Sequence, residues 1–271
     1  MSRKVRTVLL TADGLRHRYV ANRIAAHTDL TGIIHEAKGV IVDPSKLSEE
    51  DERVVKKHFA ERDEAERLFF GGQQPALTDR LDVPHGTINS PEVLSWVRER
   101  EPEFVLLYGS GIVKPPLLEL YASRIVNMHL GLSPYYRGSG TNFFPLVNRQ
   151  PECVGATIHL AVLKVDAGSI LAQTRPPAAV TDRAHELGCK AIVAGVDAMV
   201  RALAAFAGGK LVPQPQDLSV GSAYKNKDFS ADAVRKAWLN FDSGMMAEYL
   251  DDAARRLSKF PIVDLPLGGI R

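Results

Sequence analysis

The stretch Ile125-Val-Asn-Met-His-Leu-Gly-Leu-Ser-Pro-Tyr-Tyr-Arg-Gly138 decides how the chain folds. Its β-branched start, Ile125 and Val126, predicts a buried strand. Asn127 and His129 are separated by one residue, so on a strand both side chains point to one face. The Gly/Pro-rich run from Gly131 to Gly138 cannot continue a strand or a helix. Two polar groups at the carboxyl end of a buried strand, roofed by a loop, are what an open α/β sheet offers as an active site. Further on come Gly155-Ala-Thr-Ile-His159 and Asp166-Ala-Gly168-Ser-Ile170-Leu-Ala-Gln173.

Upstream, Val5 to Ala12 reads as a buried strand, Leu15 to His27 as a helix and Leu30 to His35 as a second strand, which is the opening of a βαβ unit. Gly14 lacks the two partner glycines of a dinucleotide fingerprint, which disfavours a nicotinamide cofactor. Arg16-His17-Arg18 follows the first turn and reads either as a phosphate or carboxylate clamp or as a solvated helical turn. Val42-Asp-Pro44 breaks the pattern. Ser48 then caps a long helix to about Phe70, with acids at its positive end. His58, Arg62 and Glu66 share one face of it, either as substrate contacts or as a solvated surface. Gly71-Gly72 ends it, and Gln73 to Pro84 reads as a loop over or beside the site.

Thr87 to Asn89 reads as a short strand, and Ser90-Pro91 opens a helix. Phe104 to Tyr108 is a strongly apolar strand, followed by Gly109-Ser-Gly-Ile-Val113. Gly138 to Phe144 begins a helix with Ser139 or Thr141 as cap. Val154 to Val162 and Ile170 to Gln173 read as strands around a Lys164–Gly168 loop that carries Asp166. Thr181 caps a helix to about Ala207, which Gly208-Gly209 stops. Beyond Pro213 come two helical patterns, Ala231 to Asn240 and Met245 to Lys259. The expected organisation is a catalytic domain over 1–209 and a small, mainly helical extension over 210–271.

With 271 residues, 45% hydrophobic and 24% charged, the composition is that of an ordinary globular protein. Its 34 basic and 32 acidic residues leave a formal charge of +2, so wholesale nucleic-acid binding is not implied, while anionic small molecules remain open. Cys153 and Cys189 have no metal spacing and read as buried free thiols in a reducing compartment. Neither a signal peptide nor a membrane span is visible. A cytoplasmic enzyme without a metal is expected.

The pattern Asn-x-His, Pro-x-Tyr-Arg-Gly, Gly-x-Thr-x-His-x6-Asp-x-Gly-x-Ile-x-x-Gln resembles the folate-dependent formyltransferases. That group includes the glycinamide ribonucleotide, methionyl-tRNA and sugar N-formyltransferases. The resemblance is clear from Phe104 to Gln173 and, in order of elements, weaker from Val5 to Arg100. It implies an α/β fold: a Rossmann-like core with a mostly parallel central sheet flanked by helices, plus the C-terminal extension. It implies 10-formyltetrahydrofolate as co-substrate and Asn127, His129 and Asp166 as the catalytic residues. His159 is expected to be a structural partner that shapes the Asp166 loop. Tyr108, Gly109, Ser110, Gly111, Ile112 and Val113 match the loop that the family presses onto the folate ring, where glycines let a flat ring approach the main chain.

Formyl transfer needs an oxyanion donor, a proton shuttle and a charge that orients both. An asparagine amide, a histidine and an aspartate supply these, and no covalent intermediate is required. Singly, Asn127 would satisfy a strand end, His129 a core, and Asp166 a turn; together in this order they point to catalysis. Arg16, Arg137 and Gly131 are the acceptor-side candidates. Gly131 stands where the family usually has Ser, and Asp13-Gly14-Leu15-Arg16 replaces the family's phosphate-holding segment, which weakens a ribonucleotide substrate. The extension is shorter and more helical than the barrel of methionyl-tRNA formyltransferases. The expected acceptor is therefore the amine of a small metabolite, first an amino-sugar nucleotide, then an amino acid or siderophore precursor. The helices after Ala231 offer a homodimer interface. Competing readings are a formyltetrahydrofolate hydrolase, for whose leading domain Met1 to Val5 leaves no room, a methionyl-tRNA formyltransferase, and an inactive folate-binding relative.

Overall fold

Phe104–Leu107 is buried along its whole length, as a central parallel strand covered by helices must be. In the computed structural model, which describes residues 3–39, 42, 43, 45 and 47–265, this strand is β4. Before it come β1 (Arg6–Thr11), β2 (Asp29–Glu36) and β3 (Arg80–Val83); after it come β5 (Ile125–His129), β6 (Tyr136–Gly138), β7 (Ala156–Leu160), β8 (Ile170–Thr174) and β9 (Ser222–Tyr224). Seven of them form one sheet in the order β3-β2-β1-β4-β5-β7-β8. The first five run parallel; β7 is antiparallel to β5, and β8, antiparallel to β7, runs with the first five again. Pro44, part of the expected break, lies outside the described residues.

Helices α1 (Leu15–His27), α2 (Glu49–Phe70) and α6 (Ala184–Ala207) share one side of the sheet. Leu9, Leu106, Val126 and Met128 pack there with Ile24, Phe70 and Val196. On the other side, Val8, Leu10, Val105 and Ile125 pack with Val93, Val97 and Leu117 of α3 (Pro91–Glu99) and α4 (Leu117–Leu120). The alternation along β5 therefore sends Val126 and Met128 toward α6 and Asn127 and His129 the opposite way. Both polar residues sit at the carboxyl end, where the strands of an open sheet present their loops. No helix among the described residues is long and apolar enough to cross a membrane.

Local capping works as read at Ser48, which accepts from Asp51 N, and Ser90, expected only to open its helix, also caps it by accepting from Val93 N. Capping as read fails at two other helices. Thr181 does not cap α6; Arg183 is the N-cap, with the Glu186 carboxylate accepting from its amide at 3.1 Å. The neighbouring Asp182 is instead buried and bound by Lys190 Nζ at 2.7 Å. Ser139 and Thr141 do not cap a helix either. Thr141 Oγ1 donates to Leu130 O, and only the short α5 (Phe144–Val147) forms.

Three strand readings also change. Thr87–Asn89 is a turn, held by Thr87 Oγ1 on Pro84 O at 2.7 Å. The strand is Arg80–Val83, in register with Ile33–Glu36 at the sheet edge, so Gln73 to Pro84 is not a loop over the site. The Gly131–Gly138 run is not loop throughout, since its last three residues form β6 and pair in parallel with β9.

The extension folds as α7 (Ala231–Asp242), α8 (Met245–Asp251) and α9 (Ala253–Ser258), so the single expected helix from Met245 to Lys259 breaks at Asp252. α7 packs on α2 and α5, while Phe241, Met245 and Tyr249 share a core with Leu146, Val154 and Leu187. Glu152, only 4% exposed, is held by Arg256 Nη2 at 2.8 Å and Nε at 3.0 Å. Removing one member of a buried pair strands the other. Arg256→Ala should therefore lower unfolding stability by about 3–5 kcal/mol in denaturant titration; a loss under ~1 kcal/mol would mean the pair behaves as a surface one.

Candidate active site

The turn into β6 and the loop after β7 bring three segments onto one carboxylate. Asp166 is buried, with its backbone in the left-handed region at φ 51°. Its Oδ2 accepts from Gly138 N at 2.9 Å and lies 3.3 Å from His129 Nδ1. Its Oδ1 is 3.4 Å from His159 Nε2 and 3.5 Å from Asn127 Nδ2. Burial alone would raise the Asp166 pKa; His129, His159 and the Gly138 amide outweigh it and hold the carboxyl down to about 2. Gln216 Nε2 fixes the loop by donating to Asp166 O at 3.0 Å and Gly168 O at 2.6 Å.

His129 is 7% exposed, and its Nε2 donates to Tyr136 O at 3.1 Å. Both ring nitrogens therefore face acceptors, an arrangement that favours the doubly protonated ring. Burial wins nonetheless and leaves the imidazole below its ordinary pKa, with Asp166 and the Tyr136 carbonyl pulling it back up. His159 lies directly across from Asn127 in the β5–β7 register. Its Nδ1 donates to Leu160 O at 2.9 Å, so its Nε2 is free to accept from Asn127 Nδ2 at 3.0 Å. His159 is thus part of the polar cluster and contacts both Asn127 and Asp166.

These residues open into a cleft of about 570 Å³ that straddles the carboxyl edge of the sheet. On the α3–α4 side it is lined by Gly109, Ser110, Gly111, Ile112 and Val113. Three residues not foreseen from the sequence shape this loop. Glu36, 4% exposed, accepts from Gly111 N at 2.6 Å and from Gly86 N at 3.0 Å. Lys38 Nζ donates to Gly109 O. Asn89 brackets the far end, giving Nδ2 to Ile112 O at 2.9 Å and taking Lys114 N at 2.7 Å. An acid ending the apolar run Ile33-Ile34-His35-Glu36 was the available signal, since a buried carboxylate needs donors. Gly109 has φ 61°, and a Cβ there would meet His17 Cε1 at 2.9 Å.

Three of the expected contacts sit elsewhere. The Tyr108 side chain turns to the α1–α6 side, with its ring 5.0 Å from His17, because it alternates with Leu107 along the chain. Gly131 packs beneath the site: a Cβ would meet Thr141 Cβ at 2.6 Å and His129 Nε2 at 2.8 Å, and it does not line the cleft. Arg137 does not line it either; its Nε is buried without a partner among the described residues.

Arg16 does line the cleft and is paired with Glu66 at 3.0 Å. His17 Nδ1 donates to Thr11 Oγ1 at 2.8 Å, and Thr11 in turn donates to Tyr108 O at 2.7 Å, tying the ends of β1 and β4. The shared face of α2, His58, Arg62 and Glu66, turns toward the cleft and not to solvent. Cys153 and Cys189 are free and buried, and burial raises the Cys189 thiol to about 12. Among the described residues no group of His, Cys, Asp or Glu could hold a metal ion.

Comparison with known proteins places this geometry. The formyl transferase family model matches residues 47–203, more than half of the chain. The methionyl-tRNA formyltransferase of Levilactobacillus brevis is 28% identical over 83% of this chain and 68% of its own length. That of Trichlorobacter lovleyi is 28% identical over 72% and 62%, so the chain spans about two thirds of such relatives. Among solved structures, the phosphoribosylglycinamide formyltransferase of Anaplasma phagocytophilum superposes with a TM-score of 0.56 at 15% identity, over 82% of this chain and 99% of that one. The N-formyltransferase of Helicobacter canadensis, solved with folinic acid and dTDP-3-aminofucose, gives 0.55 at 16% identity, over 83% and 72%. At these identities the structures speak for the shared α/β fold, and it is the sequence match that bears on kinship: the chain belongs to the formyl transferase family of group-transfer enzymes.

Proposed function

We propose that the chain moves a formyl group from 10-formyltetrahydrofolate to the amine of a small metabolite. The observation that carries this reading is the convergence of Asn127, His129 and Asp166 at the sheet edge, beside the glycine loop Gly109–Val113. The loop takes the folate ring. Relatives solved with tetrahydrofolate or folinic acid support that donor.

In the reaction the acceptor nitrogen attacks the formyl carbon and a C–N bond forms, leaving an oxyanion. The bond from that carbon to the folate nitrogen then breaks, and that nitrogen takes a proton while the amine gives one up. The Asn127 amide, freed from His159 and Asp166, is the donor for the oxyanion, and His129, once its Nε2 leaves the Tyr136 carbonyl, relays the proton from the amine to the folate nitrogen. The donors around Asp166 keep it ionised. Its part is to orient His129 and favour its cationic form. The acceptor reading, first an amino-sugar nucleotide and then an amino acid derivative, is supported by a cleft wall that α2 builds together with Lys225, Asn226 and Phe229. The formyltransferase of Anoxybacillus kamchatkensis solved with a UDP-linked formamido sugar supports it too.

Tetrahydrofolate release, followed by absorbance with and without a panel of amines, tests the reading. Release that requires one amine establishes transfer and names its class, whereas release without amine indicates hydrolysis. Asp166→Asn should cut turnover by ~10²–10⁴-fold while folinic acid still binds; near-wild-type turnover would remove Asp166 from the mechanism. In the same variant the His129 titration midpoint, read by imidazole NMR, should fall, because burial still opposes the cation and the carboxylate no longer favours it. A rise would reverse the assigned role. Glu36→Ala frees the Gly111 and Gly86 amides and should weaken folinic acid binding by ~10–100-fold, with little change in an amine-side probe.

A further inference from the structure

The cleft has a second side that formyl-group chemistry does not require. It is walled by α1, α2 and α6 and by Phe229 of the extension. The His58 ring is the hub of an aromatic box, with centroids 5.3 Å from Phe143, 5.4 Å from Phe59 and Phe229, and 4.5 Å from His185. Beside the box, Glu66 is shared by two guanidinium groups: Arg16 Nη1 at 3.0 Å and Arg62 Nε at 3.6 Å. Arg62 also binds Asp63, through Nη2 at 2.9 Å and Nε at 3.2 Å. Glu66 and Asp63 together offset the two guanidinium charges, so what this side offers a ligand is the unfilled N–H donors of the two forks. Arg16 Nη2 and Arg62 Nη1 have no protein acceptor among the described residues.

Three buried polar atoms on cleft-lining residues lack partners among the described residues: Tyr108 Oη, Asn142 Nδ2 and His185 Nε2. Tyr108 is 2% exposed, and its hydroxyl lies near Arg16 and Glu66. Burial keeps His58 and His185 neutral, at about 3 and about 4, so neither adds charge at neutral pH. The polar groups are therefore mostly donors, and the apolar ones are flat rings.

We propose that this α2-walled side is the acceptor subsite and that it takes an oxygen-rich amine carrying an oxyanion, phosphate or carboxylate. Arg62 and Arg16 receive the oxyanion, and the Phe143–Phe229–His58 box packs the carbon skeleton. Tyr108, Asn142 and His185 pair with its hydroxyl or carbonyl oxygens. The word acceptor rests on the formyl-transfer reading; the anion site does not. Arg62, four residues from both His58 and Glu66, is the specificity-determining residue. Arginine offers such groups a planar fork that lysine cannot copy.

The test is calorimetric titration of the full chain with pyrophosphate, with citrate, and separately with folinic acid. One of the two anions should bind, which identifies the oxyanion. Arg62→Gln should weaken it about tenfold or more, and Arg62→Lys less. Glu66→Gln, which removes the competing carboxylate, should strengthen it, a gain that misfolding cannot imitate. Folinic acid affinity should stay within about twofold throughout, since its loop lies across the sheet edge. Absence of binding by both anions, or anion binding indifferent to Arg62→Gln and Glu66→Gln, overturns the proposal. So does an equal loss of folinic acid in Arg62→Gln, which would put Arg62 on the donor side. Anion binding that follows Arg62 in a protein that never binds folinic acid supports the subsite and refutes the formyl-folate reading.

Discussion

A carboxylate taken out of water must be surrounded by donors or be protonated. Asp166 is that carboxylate: the Gly138 amide and Asn127 donate to it, and the His129 and His159 rings close on it at 3.3 and 3.4 Å. Meeting this demand fixes how β5, β6 and β7 sit relative to one another. It also explains the left-handed backbone at Asp166, which turns the side chain back under the loop, and the Gln216 amide that clamps the turn from outside. The geometry of the polar cluster and the structure of its loop are here one electrostatic problem with one solution.

Much of this was legible in the sequence where the determinants are local. Leu15–His27 was bounded correctly, because a turn and an apolar period mark it. Ser48 reads as a cap, because a hydroxyl before a run of helix formers has few other uses. Asn127 and His129 were placed on one face by strand alternation alone. The readings that failed depended on partners distant in sequence. Arg80–Val83 is charged and looks like loop; only its pairing with Ile33–Glu36 makes it a strand. Tyr108 was grouped with the glycines that follow it, yet the same alternation that places Asn127 turns it to the opposite side. Gly131 was read as a substrate contact, although its place under His129 depends on Thr141, ten residues on. The His58, Arg62, Glu66 face was left open between solvent and substrate, and no local signal could decide it, since α1, α6 and α7 set where α2 lies.

The two sides of the cleft are built differently. The Gly109–Val113 side is made of main chain: glycines held by Glu36, Lys38 and Asn89, which suits a flat heterocycle edged with hydrogen-bonding groups. The opposite side is made of side chains on three helices, which suits a ligand defined by charge and shape. Asn127 and His129 stand between them because they lie at the carboxyl end of β5, at the sheet edge where the two faces meet.

The short β6–β9 pairing gives the extension a further consequence. A Cβ on Gly138 would meet Tyr224 O at 2.1 Å, and one on Gly221 would meet Pro134 O at 2.2 Å, so the two backbones touch without side chains between them. The same segment that contributes Lys225 and Phe229 to the cleft also braces the loop whose carbonyl at Tyr136 holds His129. Exchanging this segment between relatives would not behave as a modular transplant. A chimera made to change the lining of the cleft would also reset the seating of the histidine, so the two are inherited through it as one trait.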